Sequence, residues 1–98
     1  MKLIFSPAAI HDLQSVATYT FDNWGSDQEK LYIEGLWKKL EEIRKHPETH
    51  RYREHLKCQS ARHGKHVIFF ISVAGNVNVI RILHSAMDFS THLPDDDE

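Results

Sequence analysis

His66-Val67-Ile68-Phe69-Phe70-Ile71-Ser72-Val73, followed after a short break by Val77-Asn78-Val79-Ile80-Arg81-Ile82-Leu83-His84, decides the fold of this chain. Both runs are rich in β-branched and aromatic residues and are short enough to be strands. Gly75-Asn76 between them suits a two-residue hairpin turn. His66 to His84 therefore reads as an antiparallel hairpin buried on at least one face. With Gly75-Asn76 at the turn, Ile71 faces Ile80 and Phe69 faces Ile82, while Phe70 faces Arg81 and Ile68 faces Leu83. The first set, with Val67, is the expected inner face. The second set, Ile68, Phe70, Val79, Arg81 and Leu83, mixes large hydrophobes with a charge. A contiguous apolar patch of that kind needs a cover, expected from the C-terminal segment, a partner, or both. A slip of one residue would exchange the two faces.

Upstream of the hairpin the pattern is helical. Lys2 to Phe5 is a short strand. Ser6-Pro7 starts a helix, since serine caps and proline tolerates the first helical position. Ile10, Leu13, Ala17, Phe21 and Trp24 recur at helical spacing, and Gly25 supplies the stop. Ser26 to Glu29 fits a capping box for a second helix, whose stripe is Ile33, Leu36, Trp37, Leu40 and Ile43. His46-Pro47 ends it. Leu56 to Arg62 is a further strand, and His63-Gly64-Lys65 a turn. The order β-α-α-β-β-β implies an α+β domain, a helical hairpin on one face of a small, mostly antiparallel sheet. Trp24 and Trp37 are expected in the core.

With 98 residues and 41% hydrophobic content, the chain suits one domain, residues 1–90, with an acidic tail over 91–98. The single cysteine, Cys58, excludes an internal disulfide and fits a reducing, cytoplasmic setting. No segment is apolar enough for a signal peptide or a membrane span. The net charge of −2 hides an asymmetry, because residues 44–66 hold seven Lys or Arg against two Glu and five of the eight histidines. Such a middle, with Asp95-Asp96-Asp97-Glu98 at the end, suggests an acidic partner. Neither Cys58 nor the irregular histidines match a zinc pattern. No glycine-rich phosphate loop is present, so no metal or cofactor is expected.

His66 to Phe70, then Val79-Ile80-Arg81-Ile82-Leu83-His84 and Met87-Asp88, resemble the C-terminal signature of ParE-like toxins of the RelE/ParE superfamily. The Ser-Pro helix start with Ala8, Asp12 and Leu13, the Trp24-Gly25 junction and His46-Pro47 follow the same layout, over roughly residues 2 to 88. The resemblance implies the toxin of a type II toxin–antitoxin system that inhibits DNA gyrase. It also implies neutralisation by a cognate antitoxin with a DNA-binding N-terminal domain and a tail that folds onto the toxin. Operator DNA would be reached only through that antitoxin. The expected partner-binding residues are Ile68, Phe70, Val79, Arg81, Leu83, Met87 and Asp88.

The superfamily's RelE-like branch cuts messenger RNA on the ribosome. That chemistry needs cations for the phosphorane-like transition state and a proton donor and acceptor near the 2′-hydroxyl. Arg62, Arg81 and His84, with Lys65 and the weaker His92, are the residues that could serve. No tyrosine follows Tyr52, and the acidic end would repel phosphate. A non-enzymatic binder is therefore the expected reading, with no catalytic residues.

Overall fold

A computed structural model describes residues 1–93. The acidic run Asp95 to Glu98 lies outside the described residues. Strand β1 (Lys2–Phe5) leads into α1 (Pro7–Trp24) and α2 (Ser26–Lys45), then a 3-10 turn at Pro47–Thr49 and the strands β2 (Tyr52–Arg53), β3 (Cys58–His63), β4 (His66–Val73) and β5 (Asn76–His84). The sheet order is β1-β5-β4-β3-β2, with β1 parallel to β5 and every other pairing antiparallel. This is the expected α+β arrangement with one addition, the two-residue edge strand β2.

Ser6 caps α1, accepting a hydrogen bond from the Ala9 amide at 3.0 Å, and Pro7 follows at the first helical position. Gly25, at φ 89°, is the whole link between the helices; its amide donates to the Phe21 carbonyl, and its carbonyl accepts from the Glu29 amide. The capping box does not form, because α2 already begins at Ser26 and Gly25 takes the capping position without a side chain.

The buried stripe of α1 is Ala9, Asp12, Val16 and Thr20, turned away from the apolar stripe read in the sequence. Ile10, Phe21 and Trp24 are consequently exposed, as is Trp37 on α2, whose ring meets that of Phe5 edge-on at 5.7 Å. The tryptophans are not core residues. What turns α1 is Asp12, which must reach the edge of β5. The stripe of α2 matches expectation better, with Leu36, Leu40 and Ile43 fully buried.

The hairpin register also differs. The turn is Ala74-Gly75, with Val73 opposite Asn76. Ala74 and Gly75 have φ of 52° and 80°, the successive left-handed values that a tight hairpin turn of the right twist demands. A bulge between Phe69 and Phe70 inserts Ile80, so that Phe70 pairs with Val79 but Phe69 with Arg81. The inner core against the helices contains Ile68, Phe70, Val77, Val79 and Ile82. Val67, Phe69 and Leu83 are buried on the opposite face, beside Ile71 and Ile80. The expected faces of β4 are thus exchanged, and Ile82 stays inside only because the bulge resets the alternation beyond it.

Ala74 is an exposed non-glycine residue at positive φ, a conformation that asparagine and glycine adopt more readily. Ala74→Asn should raise stability by roughly 0.5–1 kcal/mol, read as a higher urea midpoint at unchanged slope.

Candidate functional site

Strand β1 stops pairing at Phe5, opposite Val79, which would leave the rest of the β5 edge unpaired. The start of α1 completes it. The Ser6 amide donates to the Val79 carbonyl at 3.0 Å, and the Ser6 hydroxyl to the Ile80 carbonyl at 2.6 Å. The Asp12 carboxylate then accepts the Ile82 amide at 2.9 Å. The same carboxylate receives Nε and Nη2 of Arg81 at 2.7 and 2.8 Å, a two-pronged ion pair with Asp12 nearly buried. The Asp12 hydrogen bond raises the Arg81 pKa, against a smaller lowering by burial. Nη1 of Arg81 donates to the His92 carbonyl at 3.0 Å, so the arginine also ties down the C-terminal segment.

That segment covers the outer face of the sheet. Phe89, in a 3-10 turn over Phe89–Thr91 begun by Asp88, packs on Phe69 with ring centroids 4.8 Å apart. The Arg53 guanidinium lies 5.9 Å from the Phe89 ring centre, and Leu93 joins the same cluster. The expected cover is therefore provided in part by the chain itself. Of the expected partner-binding residues, Ile68, Phe70 and Val79 lie in the core beneath the helices, and Leu83 is buried on the outer face. None of these four presents a surface. Arg81 is engaged as described, while Met87 and Asp88 remain exposed.

Of the residues considered for RNA cleavage, Lys65 and His84 line a common hollow that Arg62, Arg81 and His92 do not line. Arg81 is spent on Asp12. Arg62 is exposed, its Nε donating to the Gly64 carbonyl at 2.9 Å, and the His92 carbonyl accepts from Arg81. His84 instead meets His66, ring centroids 5.4 Å apart and nearly perpendicular. Cys58 is fully buried, as a small hydrophobe would be.

Sequence reasoning missed Tyr32, a hub at the open end of the hairpin. Its hydroxyl lies 2.6 Å from His66 Nδ1, donates to the His63 carbonyl at 3.0 Å and accepts the Lys65 amide at 3.2 Å. One hydroxyl proton cannot serve His66 and His63 together. If it goes to His66 Nδ1, the His66 proton sits on Nε2. A Cβ on Gly64, at φ 57°, would come within 2.7 Å of the Tyr32 hydroxyl, and one on Gly35 within 2.5 Å of the His63 ring. Burial raises the Tyr32 pKa, opposed by the Lys65 amide and by Arg62. Desolvation, then His84 and His63, lower that of His66 to about 4, with Asp12 opposing. The signal available in the sequence was Gly64 between His63 and His66, but nothing local ties it to a tyrosine more than thirty positions earlier.

Residues 3–89 match the family described as the ParE toxin of type II toxin–antitoxin systems, parDE. The chain belongs to the ParE toxin family. It is 34% identical over 84 residues to Toxin ParE1 of Caulobacter vibrioides, covering 84% of this chain and 86% of that one. To Toxin ParE1 of Mycobacterium tuberculosis it is 27% identical over 95 residues, covering 94% and 97%. The fold matches a solved chromosomal ParDE system from P. aeruginosa with a TM-score of 0.75 at 12% identity, over 86% of this chain and 95% of that chain. The ParE-like resemblance of the sequence is thereby established, and with it a toxin of a type II toxin–antitoxin system. Among the described residues no helix is long and apolar enough to cross a membrane.

Two measurements follow from this geometry. Asp12→Ala strands Arg81 and the Ile82 amide together and should destabilise the domain by about 2–4 kcal/mol. A double-mutant cycle with Arg81→Met, followed by urea unfolding, should return a large positive coupling. The second concerns pH. The folded pKa of His66 lies below its unfolded value near 6.5, so its contribution to stability is complete above about pH 6.5 and declines as pH falls toward 4. His66→Gln should flatten that part of the stability profile relative to the parent chain.

Proposed function

We propose that this ParE-family toxin acts in the cytoplasm by binding DNA gyrase rather than by cutting RNA. The observation that carries the choice is the commitment of Arg81 to Asp12. Arg81, the arginine of the central hairpin, is neutralised by a carboxylate and fastened to the C-terminal segment. Of the residues considered, that leaves Lys65 and His84 in one hollow with no arginine lining it, less positive charge than a phosphorane-like transition state calls for. Purified toxin should stop supercoiling of relaxed plasmid by gyrase or trap cleaved DNA, whereas toe-printing on translating ribosomes should show no new cuts. Unaffected gyrase, or new cuts abolished by His84→Ala, would reverse the reading.

The cognate antitoxin, with a DNA-binding N-terminal domain that carries the complex to its operator, neutralises the toxin through its tail. The residues expected from the sequence to bind that tail are mostly internal, so its apolar anchors must lie elsewhere. Ile10 and Phe21, 48% and 53% exposed, share one side of α1, and Trp37 is 46% exposed on α2. A tail that folds on binding places apolar anchors at helical spacing on such a face. Ile10→Asp and Phe21→Asp should each weaken antitoxin binding about tenfold or more without moving the melting temperature. Unchanged affinity in both would place the tail on another surface.

A further inference from the structure

Beside the Tyr32 hub lies a hollow of about 380 Å³ between the end of α1, the start of α2 and the open end of the β4–β5 hairpin. Its wall includes Tyr19 and Trp24 from α1, Gln28 from α2, and Lys65, His66 and His84 from the hairpin. Tyr19 and Trp24 are 61% and 67% exposed, so core packing does not account for them. No carboxylate lines this hollow, and Lys65 brings a positive charge to its rim. Its floor is rigid, because the Tyr32 hydroxyl is held by the β3–β4 turn and Gly64 admits no side chain there. A second hollow of about 330 Å³ shares Tyr19, His66 and His84 with the first and runs on toward Met87. The acid in that second wall is Asp12, already paired with Arg81.

From these features we infer that the hollow binds a nucleotide, its base against Trp24 and Tyr19 and its phosphate toward Lys65 and His84. Exposed aromatic faces beside a cationic rim are how proteins hold unpaired bases, by stacking and charge without reading sequence. A volume near the lower end of the range for ligand pockets, roughly 300–1,000 Å³, admits a single nucleotide and excludes a duplex. Gln28 offers an amide to the base edge. The continuation into the second hollow gives a following nucleotide a path along α1. This assignment is independent of the gyrase reading, since it concerns binding and not the toxin's target.

The test is a titration of the full chain with AMP, adenosine and a single-stranded oligonucleotide of four thymidines, followed by the two tryptophan indole N–H signals in NMR. AMP should shift the Trp24 signal and leave that of Trp37 in place. Trp24→Ala and Lys65→Ala are exposed substitutions that keep the melting temperature, and each should weaken AMP binding at least about fivefold. Adenosine should bind more weakly than AMP. An oligonucleotide at least tenfold tighter than AMP identifies a strand as the natural source, and equal affinities a free nucleotide; both support the assignment. No shift at millimolar AMP, equal movement of both indoles, adenosine binding as tightly as AMP, or indifference to both substitutions would overturn it.

Discussion

The Asp12 carboxylate holds the molecule together at the point where the sheet runs out of strands. β1 is only four residues long and pairs with the first part of β5, leaving backbone groups of Ile80 and Ile82 without a neighbouring strand. An unpaired buried amide costs free energy comparable to a lost hydrogen bond. Ser6 and Asp12 supply the missing partners from α1, so a helix continues the edge that a strand began. Arg81 then neutralises the carboxylate, and through the His92 carbonyl the same ion pair reaches the C-terminal segment. One side chain thereby orients α1, terminates the sheet and anchors its outer cover.

This constraint explains the surface as well as the core. Turning Asp12 toward β5 rotates Ile10, Phe21 and Trp24 away from the interior, although their spacing is that of a buried stripe. The polar Asp12 and Thr20 take the inside positions instead. Thr20 is satisfied by donating to the Val16 carbonyl at 2.7 Å, so the inward stripe leaves no orphaned group at either residue. The apolar side chains that result stand on the surface, where a fully amphipathic α1 would have buried them. The same helix thus stabilises the fold on one side and carries exposed apolar side chains on the other.

The central hairpin is buried on both sides, by the helices within and by Leu56, Phe89 and Leu93 without. Such a strand has no polar alternation to mark its faces. Val67, Ile68, Phe69 and Phe70 are all buried, so their order carries no information about which pair faces the helices. The bulge at Ile80 adds a second ambiguity, because it resets the alternation at a position with no glycine or proline to announce it.

By itself the sequence determined the class and order of elements, the proline start of α1, the Gly25 break, the hairpin and the family. These follow from local signals: β-branched runs, helical spacing, caps and turn residues act within a few positions, and the family likeness is their sum. Cys58 as a buried side chain was also legible, because a lone cysteine in a strand most often packs as a small hydrophobe. Only the tertiary structure decided which faces are inside, that Arg81 is an anchor rather than an exposed cation, and that Tyr32 gathers His63, Lys65 and His66. Each of those depends on contacts between residues distant in the chain, 69 positions for Asp12 and Arg81. Hydrogen-bond demand at the β5 edge outweighed the apolar pattern of α1, and no local rule records that competition.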